Sequence, residues 1–316
     1  MPIIDFHCDT ITELEKQHKL LRQNDLNLDL ERMHRLGVLA QDFAIFVRLS
    51  EYKTLNSAWD YTLKMCDFFE GQMAANQDLV LHAKSYADVQ KAAGDNKIAA
   101  LLSVEEGGVL DEDITRVQKL YDRGVRLITI SWNFENTLGY PHSLTEDTSD
   151  KHLKPFGRQV VEAMDALHML VDVSHSGDGD FWDVADMVKG PFVASHSNAR
   201  SMEGHSRNLT DPMIKTLAQH GGIMGINFFS KFLGHDGTGS IEQMLKHIQH
   251  IKQVGGIEVL ALGSDFDGFG GASGVRTCED LPLLFAALAK AGFTQEEIDK
   301  ISYKNALRVM HDVLGQ

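Results

Sequence analysis

The chain has 316 residues, 43% of them hydrophobic, which suits one large globular domain or two small ones. Acidic residues outnumber basic ones by 45 to 30, and the net charge of −15 argues against nucleic-acid binding, which depends on a basic surface. No stretch approaches the ~18 consecutive apolar residues of a membrane span, and the N-terminal residues do not resemble a secretory signal. The three cysteines, Cys8, Cys66 and Cys278, are scattered, which favours a reducing cytoplasm over a disulfide framework.

Short apolar runs alternate with longer amphipathic stretches along the whole chain, without repeats or flexible linkers. The apolar runs predict eight strands, at residues 3–8, 40–47, 98–104, 125–131, 169–174, 191–195, 222–228 and 259–264. Several are apolar on both faces, as expected of parallel strands that are covered on both sides. Helices are predicted at residues 55–76, 114–123, 156–168, 181–189, 212–220, 241–254 and 281–290.

Eight strands that alternate with helices predict an α/β fold, a (β/α)₈ TIM-type barrel that forms one domain over residues 1–316. An open, doubly wound sheet is the alternative. Such a sheet usually carries a glycine-rich fingerprint after its first strand, whereas His7, Cys8, Asp9 and Thr10 stand in that place here. The sequence therefore favours the barrel.

Polar side chains stand where several of these runs end, and all the C-terminal strand ends of an α/β barrel lie on the face that carries the active site. The run ends contain histidines and carboxylates, namely His7, Asp9, Glu105, Glu106, His175, His196, Asp265 and Asp267. Alternate residues of a strand face the same way, so His7 and Asp9 should lie together while Cys8 faces the helices. Residues more than 250 positions apart are thus expected to meet at one rim.

Each feature taken alone has a structural interpretation. A lone strand-end histidine is more often a hydrogen-bonded structural residue than a ligand, and the Glu105–Glu106 pair suits a solvated loop. The acidic turn at 265–268 hints at calcium, but the spacing and terminal glutamate of an EF-hand loop are missing. Three histidines and three carboxylates on one rim make a purely structural account improbable.

Imidazoles and carboxylates without a cysteine pair suit zinc, manganese or iron. A catalytic zinc needs about three protein ligands and a water, so the five residues His7, Asp9, Glu105, His175 and His196 are too many for one open site. Two metal ions that share a bridging glutamate would use all five, and paired ions ~3.5–4 Å apart can polarise a carbonyl and hold a hydroxide.

Six motifs, in this order, resemble those of the renal (membrane) dipeptidase family of zinc peptidases, in its soluble bacterial form, among the amidohydrolase-like barrels. They are residues 5–9 (DFHCD), 103–107 (SVEEG), 171–175 (VDVSH), 194–197 (ASHS), 207–208 (RN) and 263–268 (GSDFDG). The resemblance runs over essentially the whole length and implies a dipeptidase, with a homodimer as the family's habit. The predicted cytoplasmic location depends on the scattered cysteines and the N-terminal residues.

The resemblance implies two zinc ions: His7 and Asp9 would hold one, His175 and His196 the other, and Glu105 would bridge them. Glu105 is preferred to Glu106 because it directly follows the Ser-Val pair of the family motif. Asp265 corresponds to the family residue that exchanges protons beside the bridging hydroxide. Arg207 corresponds to the arginine that binds the C-terminal carboxylate of the substrate, a task that suits a planar guanidinium.

Two positions depart from the family pattern. Trp132 stands at or beside the place of a histidine that helps to bind the substrate carbonyl, and Phe232 falls where a tyrosine lies near the substrate carboxylate. The carbonyl-binding role is therefore unassigned, and the nearby His142 is not given it. These departures concern substrate range and turnover rather than the metal pair.

The function predicted from these residues is hydrolysis of a dipeptide by a metal-bridging hydroxide, with Asp265 as the proton shuttle. Two alternatives stay open at this point: another metal-dependent amidohydrolase, such as a deaminase or lactonase, and a non-catalytic barrel that serves as a binding module. Many of the former use a carboxylated lysine after the fourth strand as a bridge, and there is no lysine beside Trp132.

Overall fold

The computed structural model describes residues 1–315, and its strands all run parallel. The strands are β1 (Ile3–Asp5), β2 (Val38–Phe46), β3 (Val80–His82), β4 (Ile98–Glu105), β5 (Val125–Thr129), β6 (Leu170–Asp172), β7 (Val193–Ala194), β8 (Ile223–Ile226) and β9 (Leu260–Leu262). Each of the eight predicted apolar runs overlaps a strand, and β3 is an additional one. Most predicted runs are longer than the observed strand, because the residues at the C-terminal end of the run leave the hydrogen-bonded sheet and form the rim of the barrel.

Eight of the strands form a closed ring. β1 pairs with β2 on one side and with β9 on the other, and β2 pairs with β4 over seven residues, from Ala40 opposite Ala99 to Phe46 opposite Glu105. The short strand β3 pairs with the first residues of β4, on the side that β5 occupies further along. These pairings confirm the TIM-type barrel and rule out the open sheet.

The helices are α1 (Thr10–Lys16), α2 (Leu30–Leu36), α3 (Leu55–Ala75), α4 (Tyr86–Gly94), α5 (Thr115–Asp122), α6 (Pro155–Ala166), α7 (Asp178–Met187), α8 (Asp211–Gln219), α9 (Ser230–Leu233), α10 (Ile241–Gly255), α11 (Leu281–Lys290), α12 (Gln295–Asp299) and α13 (Asn305–Leu314). A π-helical turn, Lys300–Lys304, joins α12 to α13. Seven of these helices match the predicted ones to within a few residues. None of the helices within residues 1–315 combines the length and the apolar composition that crossing a bilayer requires.

Apolar and polar side chains occupy different levels of the barrel. At its lower end, Ile4, Leu101 and Leu127 pack with Val309 and Met310 of α13, so this helix covers the end opposite the active-site rim. Burial of such side chains stabilises the fold by about 1.5–3 kcal/mol each.

A layer of buried hydrogen-bonded polar groups lies beneath the rim. Asp172 of β6 accepts hydrogen bonds from the hydroxyls of Thr129 and Ser195, each at 2.7 Å, and from the backbone N–H of Ser174 at 2.9 Å. Asp5 of β1 accepts hydrogen bonds from both the N–H and the hydroxyl of Ser264. These bonds join neighbouring strands where the ladders end, and so hold the rim residues in place.

Candidate active site

The five predicted metal ligands are brought together at the C-terminal end of the barrel. His7 and Asp9 follow β1, Glu105 is the last residue of β4, His175 follows β6 and His196 follows β7. All five are buried.

The carboxylate of Glu105 lies between two groups of these ligands. Its Oε2 lies 3.6 Å from Nε2 of His7, which in turn lies 3.5 Å from Oδ2 of Asp9. Its Oε1 lies 2.9 Å from Nε2 of His175 and 3.5 Å from Nε2 of His196. Each carboxylate oxygen therefore faces its own pair of candidate ligands.

Several buried ligand atoms in this cluster lack a hydrogen-bond partner among the described residues. They include both ring nitrogens of His7 and Oδ1 of Asp9. The ligand atoms of His7, Glu105 and His196 all lie within 4.8 Å of one another. Buried polar atoms are rarely left unpaired in proteins, and the imidazole and carboxylate donors suit zinc. The residues thus fit a metal cofactor, and Glu105 lies within reach of ligand atoms on both of its sides.

Burial and neighbouring charges set the protonation of the cluster. Burial, helped by the charge of Arg207, lowers the pKa of His175 to about 3, and burial lowers the pKa of His196 well below its usual value. Both imidazoles are therefore neutral, which is the form that binds metals. Burial together with the nearby Glu105 raises the pKa of Asp9 to about 6, as expected where carboxylates crowd without a compensating cation.

Asp265, three residues after the end of β9, also lies close to His7. Its Oδ1 lies 3.9 Å from Nε2 of His7, and its Oδ2 accepts a hydrogen bond of 2.9 Å from Nδ2 of Asn227. Burial raises the pKa of Asp265 to about 8, with Asp9 and Glu105 adding to the rise and His7 opposing it. A side chain at position 268 would place its Cβ 2.2 Å from Oδ1 of Asp265, so the turn requires Gly268.

Arg207 lies behind the cluster, almost fully buried. Its guanidinium donates hydrogen bonds to Oγ of Ser197 at 3.2 Å and to the backbone oxygen of His196 at 3.0 Å, while its Nε has no partner within residues 1–315. It lies over the ring of Phe232, 5.4 Å from the centroid. Burial lowers the pKa of Arg207 to about 10, so it carries its charge at neutral pH.

A cavity of about 450 Å³ opens over the cluster, within the range of ~300–1,000 Å³ typical of small-molecule sites. Asp9, Glu105, His175 and Asp265 contribute to its lining. Its aromatic lining residues are Phe46, Trp132, Phe229, Phe232 and Phe269. The cavity can therefore hold a small substrate against the candidate ligands.

Glu106 turns away from the cluster. Its carboxylate accepts hydrogen bonds from Nδ2 of Asn136 at 2.5 Å and from the backbone N–H groups of Gly108 and Trp132, at 2.8 and 3.3 Å. Burial raises the pKa of Glu106 to about 7. The two adjacent glutamates thus have different surroundings: Glu105 faces the histidines, and Glu106 holds the loop that follows β5.

Asn133 and Ser195 were not predicted as site residues, although both contact candidate ligands. Oδ1 of Asn133 lies 2.9 Å from Nδ1 of His175, and Oγ of Ser195 lies 2.8 Å from Nδ1 of His196. His142, left without a role, contacts Asn133 at 3.0 Å. Their position could have identified them, because Asn133 and Ser195 follow the observed ends of β5 and β7, at Thr129 and Ala194, within a few residues.

A family model described as membrane dipeptidase (peptidase family M19) matches residues 1–314. The chain belongs to this family. It is 32% identical over 267 residues to an uncharacterized protein from the pqqA 5′ region of Klebsiella pneumoniae, covering 79% of this chain and 97% of that protein. It is 30% identical over 294 residues to an uncharacterized dipeptidase of Schizosaccharomyces pombe, covering 89% of this chain and 71% of the relative.

Among solved structures, the chain is similar to a metallopeptidase of family M19 described as dipeptidase AC. The TM-score is 0.92 and the identity 25%, with 100% of this chain and 99% of the other covered. The predicted family is thereby confirmed, and so is the assignment of this chain as a metallo-dipeptidase. Membership of a metallopeptidase family implies a metal cofactor.

Proposed function

We propose that this chain is a zinc-dependent dipeptidase that hydrolyses the single amide bond of a dipeptide in the cavity over Glu105. The observation that supports this most directly is the position of Glu105, whose two oxygens face two separate ligand pairs. Asp265 and Arg207 flank the same cluster, one near its front and one behind it.

In this proposal, His7 and Asp9 would hold one zinc ion, His175 and His196 would hold the other, and Glu105 would contribute to both sites. When bound, a zinc pair polarises the carbonyl group of the substrate and lowers the pKa of water from 15.7 to about 7. The neutral state of His175 and His196 supports their assignment, because an imidazole binds a metal through a lone pair.

Asp265 moves the proton. Asn227 holds Oδ2, so Oδ1 is directed at the ligand cluster. Bound cations would oppose the rise in the pKa of Asp265 that burial causes, and the ionised carboxylate can then accept a proton from the attacking water. The water oxygen forms a bond with the carbonyl carbon, the C–N bond breaks, and Asp265 returns the proton to the leaving amine. This is general base catalysis followed by general acid catalysis by one carboxyl group.

Arg207 binds the C-terminal carboxylate of the dipeptide. Its buried guanidinium retains an Nε–H without a protein acceptor, and a guanidinium can pair with both carboxylate oxygens. Because this charge is fixed beside the cluster, it sets the distance between the substrate's C-terminal carboxylate and the amide bond that is cleaved. A dipeptide matches that distance, whereas a longer peptide does not.

The test is a library of L,L- and L,D-dipeptides, assayed with added zinc and, as a matched control, after treatment with a chelator. We expect hydrolysis of a subset of dipeptides with zinc and none in the chelated sample. Hydrolysis of a lactone or deamination of a base, with no dipeptide cleaved, would support another amidohydrolase activity. A pure, zinc-supplemented sample that holds no zinc would support the binding module. The homodimer and the cytoplasmic location stay predictions.

A further inference from the structure

The mouth of the active-site cavity has aromatic side chains on two opposite sides of the barrel. Phe46 ends β2 and Trp132 follows β5, and these two strands flank β4, which carries Glu105. Phe229 and Phe232 follow β8, which is four strands away from β4 in either direction round the ring. All four aromatic rings line the cavity. A substrate that lies across Glu105 therefore meets an aromatic wall at each of its ends.

Arg207 lies beside the wall that follows β8. Its guanidinium lies 5.4 Å from the ring centroid of Phe232, and under the proposed function it binds the C-terminal carboxylate of the dipeptide. The C-terminal residue of the substrate is then held on the β8 side, with the scissile amide over Glu105. The N-terminal residue extends the other way, toward the wall formed by Phe46 and Trp132.

Arg48 stands over this second wall and also lines the cavity. Its Cζ lies 5.1 Å from the ring centroid of Trp132, whose ring lies 6.2 Å from that of His175. The Arg48 side chain is 46% exposed, and Nη1 lies 3.6 Å from Oε1 of Glu51, beyond hydrogen-bond distance. Stacking on the indole orients the guanidinium, while its N–H groups stay available to a ligand.

The acidic side chains at the outer part of the mouth already have partners. Glu13 accepts a hydrogen bond of 2.9 Å from Lys16. Asp267 accepts one of 2.5 Å from the hydroxyl of Thr10 and one of 2.8 Å from a backbone N–H. Arg48, by contrast, donates no hydrogen bond to another residue within 1–315. The outer mouth therefore offers its free hydrogen-bonding groups to an anion rather than to a cation.

We propose that Arg48 selects dipeptides whose N-terminal residue is aspartate or glutamate, by pairing with the carboxylate of that side chain. A guanidinium can bond both oxygens of a carboxylate, and the rings of Phe46 and Trp132 can cover the methylene groups that carry it. This inference rests on the proposed dipeptidase function and adds a specificity-determining residue to it.

The test compares kcat/KM for Glu-Ala and Gln-Ala, two substrates of nearly equal size that differ by one charge. We expect the unaltered enzyme to prefer Glu-Ala by roughly 10-fold, the effect of one hydrogen bond to a charged group at a half-exposed site. Arg48→Met should remove this preference, and Arg48→Glu should reverse it. Lys53→Met removes the same charge from an exposed residue outside the cavity lining, and this matched control should keep the preference.

Equal losses of kcat/KM for Glu-Ala and Gln-Ala in Arg48→Met would overturn the inference, because Arg48 would then act only by supporting Trp132. A preference for Ala-Glu over Ala-Gln, without one for Glu-Ala over Gln-Ala, would also overturn it, since the recognised carboxylate would belong to the C-terminal residue. If the unaltered enzyme cleaves Glu-Ala and Gln-Ala equally well, only this inference fails. If it cleaves no dipeptide, the proposed function fails as well.

Discussion

The Nε2 atoms of His175 and His196 lie 3.0 Å apart, and both lie within 3.5 Å of Oε1 of Glu105. Burial keeps both rings neutral, so both Nε2 atoms can offer a lone pair to a cation that binds between them and Glu105. The metal should therefore contribute to the stability of the rim as well as to the reaction.

Removal of metal with a chelator is expected to lower the thermal unfolding temperature and abolish activity, with both restored by zinc. Zinc at about 100 times its Kd stabilises the folded state by about 2.7 kcal/mol per site. Thermal scans at several zinc concentrations, with metal content measured in parallel, provide the check. An unfolding temperature that is the same with and without zinc would contradict the shared site at Glu105.

Asp265→Asn should leave the zinc content near normal and lower kcat by roughly 10²–10⁴-fold, because the variant cannot accept a proton. The control is Asp267→Asn, in the same turn, whose carboxylate accepts hydrogen bonds from the hydroxyl of Thr10 and the backbone N–H of Asn27. Steady-state kinetics on a good dipeptide substrate measure the effect. Near-full activity of Asp265→Asn would remove it from the proton-transfer role.

Arg207→Met should lower kcat/KM for free dipeptides far more than kcat/KM for C-terminally amidated ones. Loss of one partner of a buried charged pair costs about 2–5 kcal/mol, or ~30- to ~5,000-fold in kcat/KM. The amidated substrate is the control, since it offers no carboxylate. Equal losses on both substrates would mean that Arg207 does not bind this group.

Ser195→Ala should lower zinc affinity by roughly 10–100-fold, the usual effect of removing a group that orients a ligand. The Ser195 hydroxyl donates to Asp172 at 2.7 Å, so its oxygen accepts from Nδ1–H of His196 at 2.8 Å. This leaves the lone pair on Nε2, the atom that would bind zinc under the proposed function. Ser131→Ala is the control, because the buried Ser131 hydroxyl has no partner among the described residues. Competition with a zinc indicator reports the affinity, and identical values for both variants would argue against this role.

His82 should make the fold less stable as the pH falls. Burial lowers the pKa of His82 to about 4, from 6.5 in an unfolded chain, so the unfolded state binds a proton first as the pH drops from about 6.5 to 4. Its ring packs edge-on against Phe69 with centroids 4.9 Å apart, and His82→Phe should keep this contact without the titration. Urea unfolding of both proteins with chelator should show a smaller loss in the variant over this range. An equal loss of stability in the two proteins over this pH range would exclude His82 as the source of the pH dependence.

The apolar runs predicted the barrel because each strand is buried on both faces, but they did not predict where the hydrogen-bonded ladder ends. The run at 191–195 contains only the two-residue strand β7, since the following residues turn into the rim. The extra strand β3 was missed because three residues, Val80–His82, carry too little pattern.

The ligand cluster could be predicted because polar side chains interrupt apolar runs at equivalent ends. The contacts of His142 could not be predicted in the same way. It bonds to Ser206, 64 positions away, through two irregular loops whose paths follow no periodicity. The distinct surroundings of Glu105 and Glu106 likewise depend on the backbone turn at Glu106, which has φ of 122°.

The barrel closes where the last strand meets the first, with Asp5 opposite Leu262 and the backbone N–H of Asp265 bonded to the oxygen of His7 at 3.2 Å. During synthesis, His7 leaves the ribosome long before Asp265. The nascent chain therefore carries its first candidate metal ligands unassembled until most of the protein has emerged. Ring closure joins residues that are far apart in the sequence, which should slow folding.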